Sequence, residues 1–235
     1  MNVSICIPTY GMNGKGAYYL QKNLSSVFLQ NVKPHEVIIS DHSKDDVIKN
    51  VAESWRDYLN IKYYRETTNV GVISTNLNNC ILNATGDVID FMLQDDFYFQ
   101  PNSLQRRLEL LGDSQWAVSA TLHYAVEKNM YYWHLIPEYR DDIYLGFNSI
   151  GSPSLLTMRR EGAPLFDENL FMLTDCDYYK QLFDKFGLPK TTQDITVISC
   201  MWEGQSQKSV SSEKMNGEIA HVKLKYENAG KELQT

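Results

Sequence analysis

The sequence predicts an α/β domain, a mostly parallel sheet flanked by helices. Three observations predict it. Short β-branched runs alternate with stretches of helical period over the first hundred or so residues. Proline and glycine punctuate the changes of period. Polar clusters directly follow the first, second and fourth of the predicted strands, the edge at which an open parallel sheet binds its ligands.

Taken in order, VSICI (3–7) is the first strand, ended by Pro8 and the glycines of GMNGKG. Leu20, Leu24, Val27 and Phe28, spaced by three and four, predict a helix from about Ala17 to Gln30. EVIIS (36–40) is the second strand, a polar helix covers 44–58, and IKYYR (61–65) is the third strand. Ile73, Leu77, Cys80, Ile81 and Ala84 share one face of a helix over 72–84. Thr85-Gly86 closes that helix, with Gly86 suited to a C′ position of positive φ. DVIDFML (87–93) is the fourth strand, and a helix led by Pro101 and Asn102 carries Leu104, Leu108 and Leu111.

The pattern then changes. Residues 116–150 are rich in Tyr and Trp with Pro and Gly breaks, and predict strands and loops over the ligand end of the sheet. The aromatic residues there could stack on the rings of a ligand or pack as strand residues. A helix is predicted at 175–186, a strand within 191–202, and beyond Glu203 a polar mobile loop (GQSQKSVSSEK) with a terminal element. No internal repeat is visible.

With 235 residues, 43% hydrophobic, the chain suffices for one large domain. A net charge of −7 argues against binding nucleic acid through a basic surface. Cys6, Cys80, Cys176 and Cys200 are scattered without a C-x-x-C pair, which speaks against zinc and for reduced core thiols. MNVSICIPTY lacks the basic and long apolar regions of a signal peptide, and no apolar run approaches a membrane span of ~20 residues. The expectation is a cytoplasmic protein with at most peripheral membrane contact.

The polar clusters carry the chemistry. Pro8-Thr9-Tyr10, Asp41-His42-Ser43 and Asp95-Asp96 follow strands that would end at one edge. A lone acid there is commonly a cap or a solvated residue. Two adjacent acids between apolar flanks form a hard oxygen set suited to Mg²⁺ or Mn²⁺, with substrate phosphates completing the shell. The glycines at 11–16 read G-x-x-G-x-G, not the G-x-G-x-x-G of dinucleotide binding, and that reading leaves Asp95-Asp96 unexplained.

SICIPTYG, EVIISDHSKDD, NVGVISTNLNNCILNATGDVI, FMLQDDFYFQPNSL, GSPS and FDENLFMLTDCDYYKQLF occur in an order and spacing that resemble the family 2 glycosyltransferases of GT-A fold, over about residues 2–200. The resemblance implies one GT-A domain over 1–202, a nucleotide-sugar-binding half at 1–100 and an acceptor-binding half at 101–202, with 203–235 a polar extension. It implies inverting transfer of a sugar from a nucleoside-diphosphate donor, UDP by default with dTDP or GDP open, to a hydroxyl of a glycan, lipid-linked or other acceptor. A nucleotidyltransferase acting on sugar phosphates and a non-catalytic glycan-binding relative stay open as alternatives.

Carried over residue by residue, Pro8, Thr9 and Tyr10 match the segment packing on the nucleobase, and Asp41 the acid that hydrogen-bonds it. Asn76 and Asn78 match a polar pair near the nucleotide. Asp96 matches the metal-ligating acid, with Asp95 in support. Asp175 matches the general base. On the residues alone, Asp167 and Glu168 belong to a turn, and Asp175 and Asp177 to a first helical turn, where acids commonly satisfy free N–H groups. Three positions depart from the family pattern: Gln94 replaces an acid, His42 replaces another, and Trp202 stands where several relatives have His.

Overall fold

In the computed structural model, which describes residues 1–205 and 211–232, nine strands form one mixed sheet flanked by helices. The first half follows the predicted alternation: β1 (Val3–Thr9), α1 (Gly16–Phe28), β2 (Glu36–Asp41), α2 (Val47–Ser54), β3 (Ile61–Arg65), α3 (Ile73–Asn83) and β4 (Val88–Phe91). These four strands are parallel and lie in the order β3-β2-β1-β4. Residues 3–9 and 36–41 are buried throughout, as a sheet covered on both faces requires.

Beyond β4 the order stops following the chain. After β5 (Phe97–Tyr98) and α4 (Ser103–Leu111) come β6 (Trp116–Ala125), β7 (Met130–Leu135), β8 (Leu156–Arg159), α5 (Thr174–Phe186), β9 (Lys190–Met201) and α6 (Ser212–Glu232). β8 is antiparallel to β4 and continues the sheet as β8-β6-β9-β5, while β7 pairs only with β6. The short β5 and β8 were not foreseen. Two residues of strand carry no periodicity, and the four of Leu156–Arg159 follow directly on a single 3₁₀ turn at Pro153–Leu155 with no break to mark the change.

Gly86 corrects a local expectation. It is not among the glycines of positive φ, and α3 closes through an extended Ala84. A Cβ at Gly86 would meet Asn2 O and Ser4 N at 2.8 Å, so close packing of the helix end on β1 demands the glycine.

A buried ion pair anchors β4. Arg107 Nε of α4 donates to Asp90 Oδ2 at 2.8 Å, and Thr157 Oγ1 and Tyr98 OH donate to the same carboxylate at 2.7 and 2.9 Å. Pair and hydroxyls together offset the desolvation of two charges, and removing one partner of such a pair costs about 3–5 kcal/mol. The strand that leads into the adjacent acids is thereby fixed in the core. All four cysteines are buried and free. Among the described residues no helix is long and apolar enough to cross a membrane. Of the loop expected at 204–214, residues 206–210 lie outside the described residues, while Ser212–Lys214 are helical and open α6.

Candidate active site

A cleft of about 680 Å³ opens at the carboxyl ends of β1, β2 and β4, where the polar clusters converge. Pro8, Tyr10, His42, Ser43 and Asn76 line one end; Asp95, Ser152 and Asp175 line the other. Residues scattered over most of the chain thus meet at the edge where a parallel sheet splays its loops.

At the β1–β2 end, Thr9 works from beneath. It is buried, its hydroxyl donates to Ser40 O, and its carbonyl accepts from His42 N and Asn76 Nδ2, both at 2.9 Å. One carbonyl therefore brings His42 and Asn76 together. His42 Nε2, Ser43 Oγ and Asn76 Oδ1 are buried and without hydrogen-bond partners. Burial lowers the His42 pKa, so its imidazole is neutral near pH 7.

Asp41 does not reach the cleft, contrary to its expected contact with a base. It is wholly buried, Oδ1 accepts from Ser43 N at 2.8 Å, and Oδ2 accepts from Tyr63 OH at 2.7 Å. Arg65 Nε lies 3.7 Å from Oδ2. A carboxylate in the interior needs such partners. Tyr63 and Arg65, one face of β3, supply them. Asn78 is likewise engaged away from the cleft: it donates to Phe166 O and Glu168 Oε1 and accepts from Phe166 N. It ties α3 to the 166–168 turn.

Gln94 explains its departure from an acid. Its Oε1 accepts from Tyr10 N at 2.9 Å and its Nε2 donates to Gly16 O at 2.8 Å. An amide can do both; a carboxylate cannot. Gln94 therefore closes the 10–16 loop against the end of β4.

The expected order of the two acids is reversed in position. Asp95 faces the cleft, held by Trp202 Nε1 at 2.8 Å and Gln205 Nε2 at 3.2 Å, both on Oδ2. Asp96 sits behind it, its Oδ1 accepting from Cys200 N at 3.0 Å and its Oδ2 from Ser152 Oγ at 3.4 Å. The reason is the turn after β4, closed by Asp96 N on Leu93 O, together with the neighbouring β9 backbone that takes the second carboxylate. Burial raises the pKa of both acids, and repulsion by Asp95 raises Asp96 further. Trp202, where several relatives have His, makes a polar contact here by donating from Nε1 to Asp95. Nothing in the local sequence signals that an indole more than a hundred residues on would bond Asp95.

Asp175 opens α5 and lines the cleft. Asn148 Nδ2 donates to its Oδ2 at 2.8 Å and Cys176 N to its Oδ1 at 3.0 Å. Desolvation pushes its pKa up to about 6 against those bonds. Its place in the first turn of α5, at the positive end of the helix dipole, favours the ionised form. Burial wins in part, and the carboxylate is still mainly ionised at pH 7. Asn148 also accepts from Ile150 N and Gly151 N, which fixes its amide. Asp177 points away, fully buried against α6, and is excluded as a cleft residue.

No group of three or more His, Cys, Asp or Glu encloses a metal position among the described residues. The donors do fit a cation that phosphates help to hold: two adjacent carboxylates of raised pKa, Asp95 half-buried and open to the cleft and Asp96 buried behind it, would be relieved by a divalent ion.

The chain matches the family model described as glycosyl transferase family 2 over residues 4–183. It is 29% identical to an uncharacterized glycosyltransferase of Rickettsia typhi over 110 residues, covering 47% of this chain and 32% of that protein. It is 32% identical to one of Rickettsia conorii over 112 residues, covering 47% and 17%. The match therefore spans a third or less of these relatives. Among solved structures, S. aureus TarS 1–349 in complex with UDP superposes with a TM-score of 0.66 at 20% identity, covering 86% of this chain and 61% of that one. The mannosyltransferase PcManGT from Pyrobaculum calidifontis, in complex with GDP-Man and Mn²⁺, gives 0.59 at 18% identity, covering 88% and 58%. The shared fold is a GT-A glycosyltransferase fold.

Proposed function

The chain belongs to glycosyl transferase family 2, and on that premise we propose that it moves a sugar from a nucleoside-diphosphate sugar to an acceptor hydroxyl, inverting the anomeric centre. One observation carries this: a single cleft has unpartnered polar atoms at its β1–β2 end and two acids, Asp95 and Asp175, at its other end, with the buried Asp96 behind Asp95. The first end suits a nucleobase, the second a diphosphate and the reacting carbon.

The base would pack on Pro8 and Tyr10, within reach of His42 Nε2, Ser43 Oγ and Asn76 Oδ1. Asp41 then acts indirectly, by fixing Ser43 through its backbone N–H. Asp95, open to the cleft, would hold Mn²⁺ or Mg²⁺, with Asp96 supporting it from behind. Such a cation, when bound, stabilises charge on the departing diphosphate as a Lewis acid.

Asp175 is the proposed base. As the acceptor oxygen bonds to the anomeric carbon, the bond to the diphosphate oxygen breaks and its electron pair leaves with the phosphate. The hydroxyl proton passes to the Asp175 carboxylate, which Asn148 holds in place. A single displacement needs no covalent enzyme intermediate. UDP and GDP titrated by calorimetry, with Mn²⁺ and with EDTA, test the reading. At least one nucleotide is expected to bind, and more tightly with Mn²⁺. Equal affinity in EDTA would remove the metal, and no release of nucleoside diphosphate from any donor with acceptors present would remove catalysis.

A further inference from the structure

α6 lies outside the residues that match the family, yet its polar contacts concentrate on the 167–177 segment, part of which lines the cleft. Glu218, His221, Val222, Lys225 and Tyr226 fall at i, i+3, i+4, i+7 and i+8, one stripe of a helix. Val222 is buried with Leu170 and Leu173. Lys225 Nζ donates to both oxygens of the buried Asp177, at 2.8 and 2.9 Å, and Tyr226 OH to its Oδ1 at 2.6 Å. His221 Nε2 lies 2.9 Å from Asp167 Oδ2.

Glu218 makes the contact nearest the chemistry. Its Oε2 accepts from Met172 N at 2.8 Å and Leu173 N at 3.0 Å. These amides lead into α5, whose cap residue Leu173 offers no side-chain hydrogen bond of its own. Phe171, Met172, Thr174 and Asp175 line the cleft. A carboxylate from another helix thus steadies the wall from which Asp175 projects.

We propose that α6 positions this acceptor-side wall, with Glu218 as the positioning residue that fixes residues 171–175 and so aims the Asp175 carboxylate. The proposal rests on the reading of the cleft given above. A helix docked only for stability is the plainer account. Against it, Glu218 spends one buried oxygen on two successive amides and leaves the other, Oε1, buried without a partner. Such an orphan costs stability, and its carboxylate is placed for geometry instead.

Glu218→Ala and Glu218→Gln in the full chain test it, with amide exchange, UDP affinity in Mn²⁺ and UDP-sugar turnover measured on each. In the alanine variant, exchange should accelerate at 172–173 while residues 3–9 keep their protection and UDP affinity holds. Turnover should fall by ~10²-fold, the scale of an ångström-sized misplacement. Glutamine keeps a carbonyl acceptor and should restore most of both. Unchanged exchange at 172–173, or protection and UDP affinity lost throughout the chain, would overturn the proposal. Should the wild type bind neither UDP nor GDP, the transferase reading fails by itself, and the exchange comparison still decides whether Glu218 holds the wall.

Discussion

At the β1–β2 end of the cleft, His42, Ser43 and Asn76 each leave a buried polar atom without a partner. At the β4–α5 end, Asp95, Asp96 and Asp175 are each held by N–H groups, most from residues far along the chain. The first end is set by backbone: consecutive parallel strands present their following residues at one edge. The second is set by side chains and backbone drawn from β9, the 148–152 loop and the turn after β4. On the reading proposed above, the unpartnered atoms contact the donor and govern affinity, while the pre-held carboxylates lose no orientation when the reaction begins and govern rate. Substitutions at the two ends should therefore separate binding from turnover.

The sharpest break between the ends is Asp175→Asn. The amide keeps the shape and the Asn148 contact region but accepts no proton, so turnover should fall by ~10²-fold or more, the scale of a general base. Donor affinity, governed by the other end, should hold. Calorimetry and kcat on one preparation decide it. Near-normal turnover would reduce Asp175 to a helix-terminal acid.

The same contrast explains what was legible in the sequence. β1 to β4 and α1 to α3 could be read because each follows from local period and punctuation. IKYYR is a strand at its predicted bounds. The cleft's position followed as well, since parallel strand ends define it. Asp41 could not be placed from its own neighbourhood. Its partners Tyr63 and Arg65 reach it only because Asp41 and Arg65 are register partners across β2 and β3. Asp95 and Asp96 were readable as a pair but not in their order, because Trp202 and Cys200 arrive through β9, whose pairing with β6 the sequence does not announce. α6 was read only as a polar tail. Its Met215, Ile219, Val222 and Tyr226, spaced by four, three and four, do form an apolar helical stripe that packs with Leu170 and Leu173, but the partners of Glu218, His221 and Lys225 at 167–177 are not visible in the local sequence.

A smaller effect tests the order of the acids. If the cleft-facing carboxylate binds the cation, Asp95→Ala should abolish the Mn²⁺ dependence of UDP affinity. Asp96→Ala, which removes a supporting group, should weaken the Mn²⁺ effect by about 10- to 100-fold, the range for outer partners of a metal site. The expectation carried by the resemblance is the reverse ranking. Mn²⁺ titrations of both variants at fixed UDP distinguish the two. A stronger loss in Asp96→Ala would return the ligand role to Asp96.

The smallest expected effect is a shift along the pH axis. The Asp175 pKa is raised to about 6, chiefly by desolvation, and a base must be ionised, so turnover should climb as pH rises through about 6. Stability runs the other way. The folded state holds this proton more tightly than the unfolded chain, so the contribution is complete at low pH and is lost as pH rises through about 6. Asn148 Nδ2 donates to the ionised form and favours it. Asn148→Ala should therefore move the acid limb of the rate profile upward, by up to roughly one unit, since a hydrogen bond to a charged group is worth about 1.5 kcal/mol or more before solvent takes its place. Asn148 also anchors Ile150 N and Gly151 N, so a structural loss must be told apart from a shift. The alkaline plateau does this. A displaced limb beneath an unchanged plateau shows Asn148 tuning the base, whereas a lowered plateau with the limb still near pH 6 shows it merely holding the loop.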